Sequence, residues 1–103
     1  MSQRPLQPTA ADLRKWRRLI RAARAAVHDV RGAGGDLRAA AATARKACAP
    51  TRDLLLTVCS PLIRLAETWP GLGDACRATA AQRLAAYADQ LAPHVGASTA
   101  KAA

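Results

Sequence analysis

The sequence contains no phenylalanine and has only three aromatic residues, Trp16, Trp69 and Tyr87. Leucine, isoleucine and valine together supply 18 of its 103 residues, whereas alanine supplies 27. So few large apolar side chains leave little material for a core, and so few aromatic rings argue against binding single strands by base stacking. Alanine is the strongest helix former. We therefore predict an all-α fold, a small bundle of three to four helices with an N-terminal αα-hairpin, which a partner or self-association could complete.

Acidic residues are also scarce, since seven Asp and Glu stand against 16 Lys and Arg, a net charge of +9. The acids are scattered, and most stand where a predicted helix begins. General acid–base catalysis needs convergent carboxylates or an oriented histidine, and the sequence suggests neither. The "GAGGD" stretch does not follow a strand and lacks the Lys-Ser/Thr of a phosphate-binding loop. We predict a non-enzymatic protein with no catalytic residue and no cofactor.

The three cysteines, Cys48, Cys59 and Cys76, are widely spaced and form no CxxC pair. This spacing predicts small buried side chains rather than metal ligands, and an odd number without a pairing pattern favours a reducing, cytoplasmic location. The stretch "LLLTVCSPLIRLA" is apolar on almost every helical face, which predicts a deeply buried helix. Pro61 and Arg64 interrupt it, so we predict no membrane span.

Proline, glycine and apolar spacing divide the chain into segments. Residues 1–9 hold two prolines and predict a flexible N-terminal segment, and residues 93–103 predict a disordered tail. Between them we predict a single helical domain over residues 10–92. Its helices are expected at about 10–31, 36–48, 52–68 with a kink at Pro61, and 74–92.

Polar residues that suit helix N-termini mark the predicted starts. "TAAD" has the capping-box pattern, with Thr9 as the N-cap and Asp12 three residues later. Asp36, Thr51 and Asp74 stand where the later helices are expected to begin. The sequence therefore predicts four capped helix starts.

Arginines recur at intervals of seven residues through three glycines of "VRGAGGDLRAA". The positions are Arg17, Arg24, Arg31, Arg38, Arg45 and Arg52. One interpretation is a single long helix with an arginine stripe, and the other is two helices joined by a turn at 32–35. Glycine ends helices and Asp36 could cap a new one, which favours the turn. Pro50 removes Arg52 from any shared straight helix, because its ring would clash with the preceding turn.

Apolar residues of the first predicted helix alternate at spacings of three and four, the a/d pattern typical of a coiled coil. The positions are Leu13, Trp16, Ile20, Val27 and Val30. The pattern predicts either a face of the core, which we favour for Trp16, or an interface with a partner helix.

The strongest signal is a basic cluster between Asp12 and Asp29. Residues 1–50 carry a net charge of +8 and residues 51–103 only +1. Like charges at i,i+3 and i,i+4 repel, and a phosphate backbone would relieve that repulsion. We therefore predict an accessory or architectural protein that contacts DNA or RNA backbones. The alternative is an assembly subunit whose arginines meet an acidic protein partner or that forms a homo-oligomer. The predicted nucleic-acid contacts are Arg14, Lys15, Arg17, Arg18, Arg21, Arg24 and Arg31.

Overall fold

The computed structural model describes residues 7–29 and 34–96, and within these ranges the chain forms packed helices and no strand. The predicted all-α helical bundle is confirmed. Two 3₁₀ turns follow helices, Trp69–Gly71 between the last two and Ala92–His94 after the last. The four helices are α1 (Ala10–His28), α2 (Gly34–Ala44), α3 (residues 52–68) and α4 (Asp74–Leu91).

Threonine caps begin α1 and α3 as predicted. The Thr9 hydroxyl accepts a hydrogen bond from the Asp12 backbone N–H at 3.1 Å, and the Thr9 backbone N–H donates to the Asp12 carboxylate at 3.0 Å. These two bonds form a complete capping box. The Thr51 hydroxyl likewise accepts from the Leu54 backbone N–H at 3.0 Å. Each cap satisfies a helix N–H that has no partner within the helix.

Asp36 and Asp74 are not N-caps, and that prediction is wrong. Helix α2 begins at Gly34, so Asp36 already lies in its first turn. The N-cap of α4 is Gly73, whose lack of a side chain leaves no cap hydrogen bond, and Asp74 is in the first turn. Both carboxylates still stabilise their helices, because they lie near the positive end of the helix dipole.

Helices α1 and α2 pack against each other as the predicted αα-hairpin. Asp29 ends α1 with non-helical torsions, φ −139° and ψ 79°, ahead of the predicted end near residue 31. The indole N–H of Trp16 donates to the Cys48 carbonyl at 2.8 Å. These residues would be roughly 48 Å apart in one straight helix, so a continuous helix is excluded. Residues 30–33, which contain the expected turn, lie outside the described ranges.

Helix α2 is shorter at its C-terminal end than predicted. It ends at Ala44, and residues 45–47 form a turn rather than continuing the helix to 48. The Lys46 N–H bonds to the Thr43 carbonyl and the Ala47 N–H to the Ala44 carbonyl, both with the i→i−3 spacing of a tightened last turn.

Helix α3 contains a π-helical turn before its proline. It begins as the α-helical segment Arg52–Leu54, widens over Leu55–Cys59, and resumes as Ser60–Thr68. The Ser60 N–H bonds to the Leu55 carbonyl, the five-residue spacing of a π-helix. In a regular α-helix the Pro61 ring would clash with the carbonyl four residues earlier. A π-turn therefore immediately precedes Pro61, the position at which the sequence predicts a kink.

The core is built largely from alanine. Among the residues whose burial the structure describes, alanine supplies 11 of the 23 buried apolar side chains, and Trp16 and Trp69 are the largest of them. Small side chains let helix backbones approach closely, which is how a chain with few large apolar residues still excludes water. Cys59 is buried as predicted, but Cys48 is half-buried and Cys76 is exposed, so the prediction of burial is wrong for Cys76.

The segment after α4 packs onto the domain. Val95 is buried, and Gly96 adopts a positive φ of 77°, which suits glycine because it has no Cβ. The disordered tail predicted from residue 93 is therefore wrong for residues 93–96. Residues 97–103 and residues 1–6 of the predicted flexible N-terminal segment lie outside the described ranges. None of the helices in the described part has the length and apolar character needed to cross a bilayer.

Candidate nucleic-acid interface

Three arginines form a row on the outer face of α1. Arg14, Arg18 and Arg21 are all exposed. At 100° per residue they fall within an arc of about 60°, and they extend over roughly 10 Å of helix axis. We call these three residues the α1 arginine strip. The exposed residues beside them, Ala11 and Ala25, are small, so the guanidinium groups are open to a large ligand.

The positive charge of the α1 arginine strip is poorly neutralised. The Arg18 guanidinium lies 3.8 Å from the Asp36 carboxylate, and these side chains are 46% and 64% exposed. Such an exposed pair has little strength and is screened by salt. Within residues 7–29 and 34–96, no carboxylate forms an ion pair with Arg14 or Arg21. The strip therefore offers an anion a positive surface that only one weak, exposed ion pair compensates.

Lys15 lies at the edge of the strip and is half-buried. The hydrogen bond from the Thr9 backbone N–H is the main cause of the lowered pKa of Asp12, and the nearby ammonium group of Lys15 lowers this pKa further. The Asp12 carboxylate places negative charge at the N-terminal end of α1. An anion is thus expected along the side of α1 and not at its N-terminus.

Arg17 faces the protein and not the outer surface. Its Nη1 donates a hydrogen bond to the Val95 carbonyl at 2.8 Å, and its side chain is half-buried. The contact connects α1 to the chain beyond α4. A phosphate contact by Arg17 stays a prediction, and we leave Arg17 out of the α1 arginine strip because its guanidinium already binds within the fold.

Arg24 is also used within the fold. Its Nε and Nη2 lie 3.2 and 2.8 Å from Oδ1 of Asp89 on α4. The Asp89 carboxylate, 65 residues away in the sequence, therefore neutralises the guanidinium of Arg24, which the sequence predicts as a phosphate contact. A phosphate contact by Arg24 likewise stays a prediction, and Arg24 is left out of the α1 arginine strip. The seventh predicted contact, Arg31, lies outside the described ranges.

The apolar seam of α1 is mostly occupied by the chain's own helices. Trp16 and Ile20 are buried in the core, and Leu13 packs partly against it. These two buried side chains belong to the face of the core that the pattern also predicts, and their contact with a partner helix stays a prediction. Val27 remains 37% exposed. Val30 lies outside the described ranges.

Two further arginines make structural contacts that the seven-residue spacing does not reveal. Arg45 pairs with Glu67 on α3, and the hydrogen bond that the guanidinium donates to this carboxylate raises the pKa of Arg45. The Arg77 Nε donates to the Trp69 carbonyl at 3.2 Å and so satisfies an oxygen at the end of α3. No local sequence pattern predicts these two contacts, because they depend on how the helices pack.

No group of three His, Cys, Asp or Glu side chains in the described part is arranged to hold a metal ion. Comparison of the chain with models of protein families, with curated protein sequences and with solved structures found no match in any of the three.

Proposed function

We propose that the protein is a non-catalytic, cytoplasmic accessory or architectural protein that binds DNA or RNA through the α1 arginine strip. The observation that supports this function is the exposed row of Arg14, Arg18 and Arg21 on one face of α1. Of these three arginines, only Arg18 has a carboxylate partner among the described residues, and that ion pair is long and exposed. A regularly charged polyanion satisfies all three side chains at once.

Phosphate is the anion that suits this surface best. Arginine presents a planar fork of N–H donors that matches phosphate oxygens in a bidentate arrangement. Repulsion between guanidinium groups at i,i+3 and i,i+4 destabilises α1 in the absence of a ligand. Binding to phosphates relieves this repulsion and releases condensed counterions, which supplies the driving force.

The strip favours backbone contacts over base reading. Helix α1 contains no asparagine, glutamine, serine or threonine. The arginine strip is flanked by alanines, which offer no hydrogen bonds to base edges. Contacts with phosphate position a protein on a duplex without selecting sequence. We therefore expect similar affinity for duplexes of unrelated sequence.

Fluorescence anisotropy with a labelled duplex of about 20 base pairs tests this function over a range of salt concentrations. Three phosphate contacts predict a slope of about −2.7 for log affinity against log salt, and Lys15 as a fourth would give about −3.6. The smaller slope corresponds to an affinity loss of about 40-fold between 50 and 200 mM salt. Absence of binding at low salt, or binding that salt does not change, contradicts the proposal.

Self-association remains a separate prediction, which sedimentation of the isolated chain tests. We do not propose the α1 seam as its interface, because Trp16 and Ile20 are already buried.

A further inference from the structure

A groove lies between α3 and α4, on surface that the α1 arginine strip does not include. It consists of two depressions of about 360 and 400 Å³ that share Leu65 and Arg83. Its first part is bounded by Leu56 and Tyr87, and its second by Leu72 and exposed Cys76. Both helices therefore contribute side chains to two adjacent depressions, which we call the α3–α4 groove.

Two leucines at the groove and next to it are exposed to solvent. Leu56, which lines the groove, is 66% exposed, and its chain neighbour Leu55, which does not line it, is 40% exposed. The sequence predicts that this apolar stretch is deeply buried, and that prediction is wrong at these two leucines. Both lie in the π-helical turn, which changes the register of α3 relative to the core. Adjacent exposed leucines in a chain with so few large apolar residues indicate a contact surface.

The charged side chains that line the groove are all positive. Arg64 and Arg83 line it, both are exposed, and no Asp or Glu is among its lining residues. The hydroxyl groups of Ser60 and Thr68 add neutral hydrogen-bonding capacity beside the apolar floor. An occupant that complements this surface has an apolar face and carboxylates at its edges.

We infer that the α3–α4 groove docks an acidic amphipathic helix of a partner protein. The part of α3 that lines the groove, residues 56–68, extends over about 18 Å, the length of roughly three helical turns. A partner helix would place apolar residues at i, i+3, i+4 and i+7 against Leu56 and Leu65, with carboxylates toward Arg64 and Arg83. This inference does not depend on the proposed nucleic-acid binding, because it uses other residues.

The charge distribution argues against two other occupants. A second copy of the chain carries a net charge of +9, so electrostatic repulsion opposes its approach to a basic groove. The terminal segments 1–6 and 97–103 contain Arg4 and Lys101 and no acidic side chain. Neither segment complements Arg64 and Arg83. The exposed Leu56 beside these arginines favours an acidic segment of a protein, which can offer apolar side chains together with carboxylates.

Two synthetic peptides test the inference with the full chain. Both are about 14 residues long with leucine at i, i+3, i+4 and i+7, and the flanks carry glutamate in one and lysine in the other. Cys76 lines the groove and reports occupancy through its alkylation rate, while Cys48 serves as an internal reference away from it. The glutamate peptide is expected to slow alkylation of Cys76 and leave Cys48 unchanged, and the lysine peptide should change neither.

Variants then assign the binding to the groove. We expect Leu56→Ser, and separately the double variant Arg64→Ala with Arg83→Ala, to weaken glutamate-peptide binding about tenfold each. The charge-matched control, Arg38→Ala with Arg52→Ala, should bind as the wild type does, because neither residue lines the groove. All of these variants should keep wild-type duplex affinity at the α1 arginine strip, apart from a small general charge effect.

Four outcomes overturn the inference. They are equal binding of both peptides, no protection of Cys76 at millimolar peptide, dimerisation that Leu56→Ser abolishes, and loss of duplex binding in the Arg64/Arg83 variant. The last two results would assign the groove to a second copy or to nucleic acid.

Discussion

The Arg17 guanidinium lies 2.8 Å from the Val95 carbonyl oxygen and so connects the first helix to the segment that follows the last one. The positive φ of Gly96 turns the chain immediately after this contact. A Cβ at Gly96 would lie 3.6 Å from Arg17 Nη1, which is an ordinary contact distance. The basic cluster of α1 therefore has two chemical roles, because some of its arginines hold the fold together and others face outward.

Replacing Arg17 with alanine is expected to lower the free energy of unfolding by about 1.5–3 kcal/mol, the usual contribution of a hydrogen bond from a charged donor. Removal of exposed Arg14 should change it by less than about 0.5 kcal/mol. Urea unfolding of Arg17→Ala and Arg14→Ala, followed by circular dichroism, measures the difference. Equal effects of the two substitutions would show that Arg17 has no special structural role.

The capping box at the start of α1 should make stability depend on acid pH. Hydrogen bonds from Thr9 lower the Asp12 pKa below its usual value of 3.8. A carboxyl with a lowered pKa in the folded state stabilises the protein above its unfolded pKa, and this contribution is lost as pH falls through the folded pKa. We therefore expect Asp12→Asn to be less stable than the wild type near neutral pH, with a difference that shrinks below about pH 4.

Urea midpoints measured between about pH 2 and pH 7 test this dependence. Thr9→Ala, which removes the hydroxyl acceptor of the same box, should cost about 1 kcal/mol near neutral pH. A constant difference between wild type and Asp12→Asn across the whole range would contradict the assignment.

The three thiols should react at different rates with an alkylating reagent. Burial raises the pKa of Cys59 to about 11, so at pH 8 only about one molecule in a thousand carries the thiolate that reacts. Cys76 is exposed and Cys48 is half-buried. Peptide mass spectrometry over a time course should give the order Cys76, then Cys48, then Cys59. Early labelling of Cys59 in folded protein would contradict its place in the core.

Local features of the fold could be predicted from the sequence. The Thr9 and Thr51 caps, the break between α1 and α2, and the burial of Trp16 follow from residue chemistry and spacing within a few positions. The predicted start of α2 is too late, because the helix already begins at Gly34, ahead of the expected cap at Asp36.

The candidate site could be predicted only in part. The position of the basic cluster on α1 is visible in the sequence, but its division into inward and outward arginines is not. Arg17 and Arg24 find partners 78 and 65 residues away, on elements whose placement depends on tertiary packing. The α3–α4 groove was missed for a similar reason, since a uniformly apolar stretch does not show which leucines the π-turn leaves exposed.

The measurement that tests the proposed function most directly is the salt dependence of duplex affinity in two charge-matched triple variants. One replaces Arg14, Arg18 and Arg21 with alanine, and the other replaces the exposed residues Arg38, Lys46 and Arg52. We predict a slope close to zero for the first variant, and a slope near the wild-type value of about −2.7 for the second. Equal losses of slope and affinity in both variants would contradict binding at the α1 arginine strip, because general positive charge would then account for the binding.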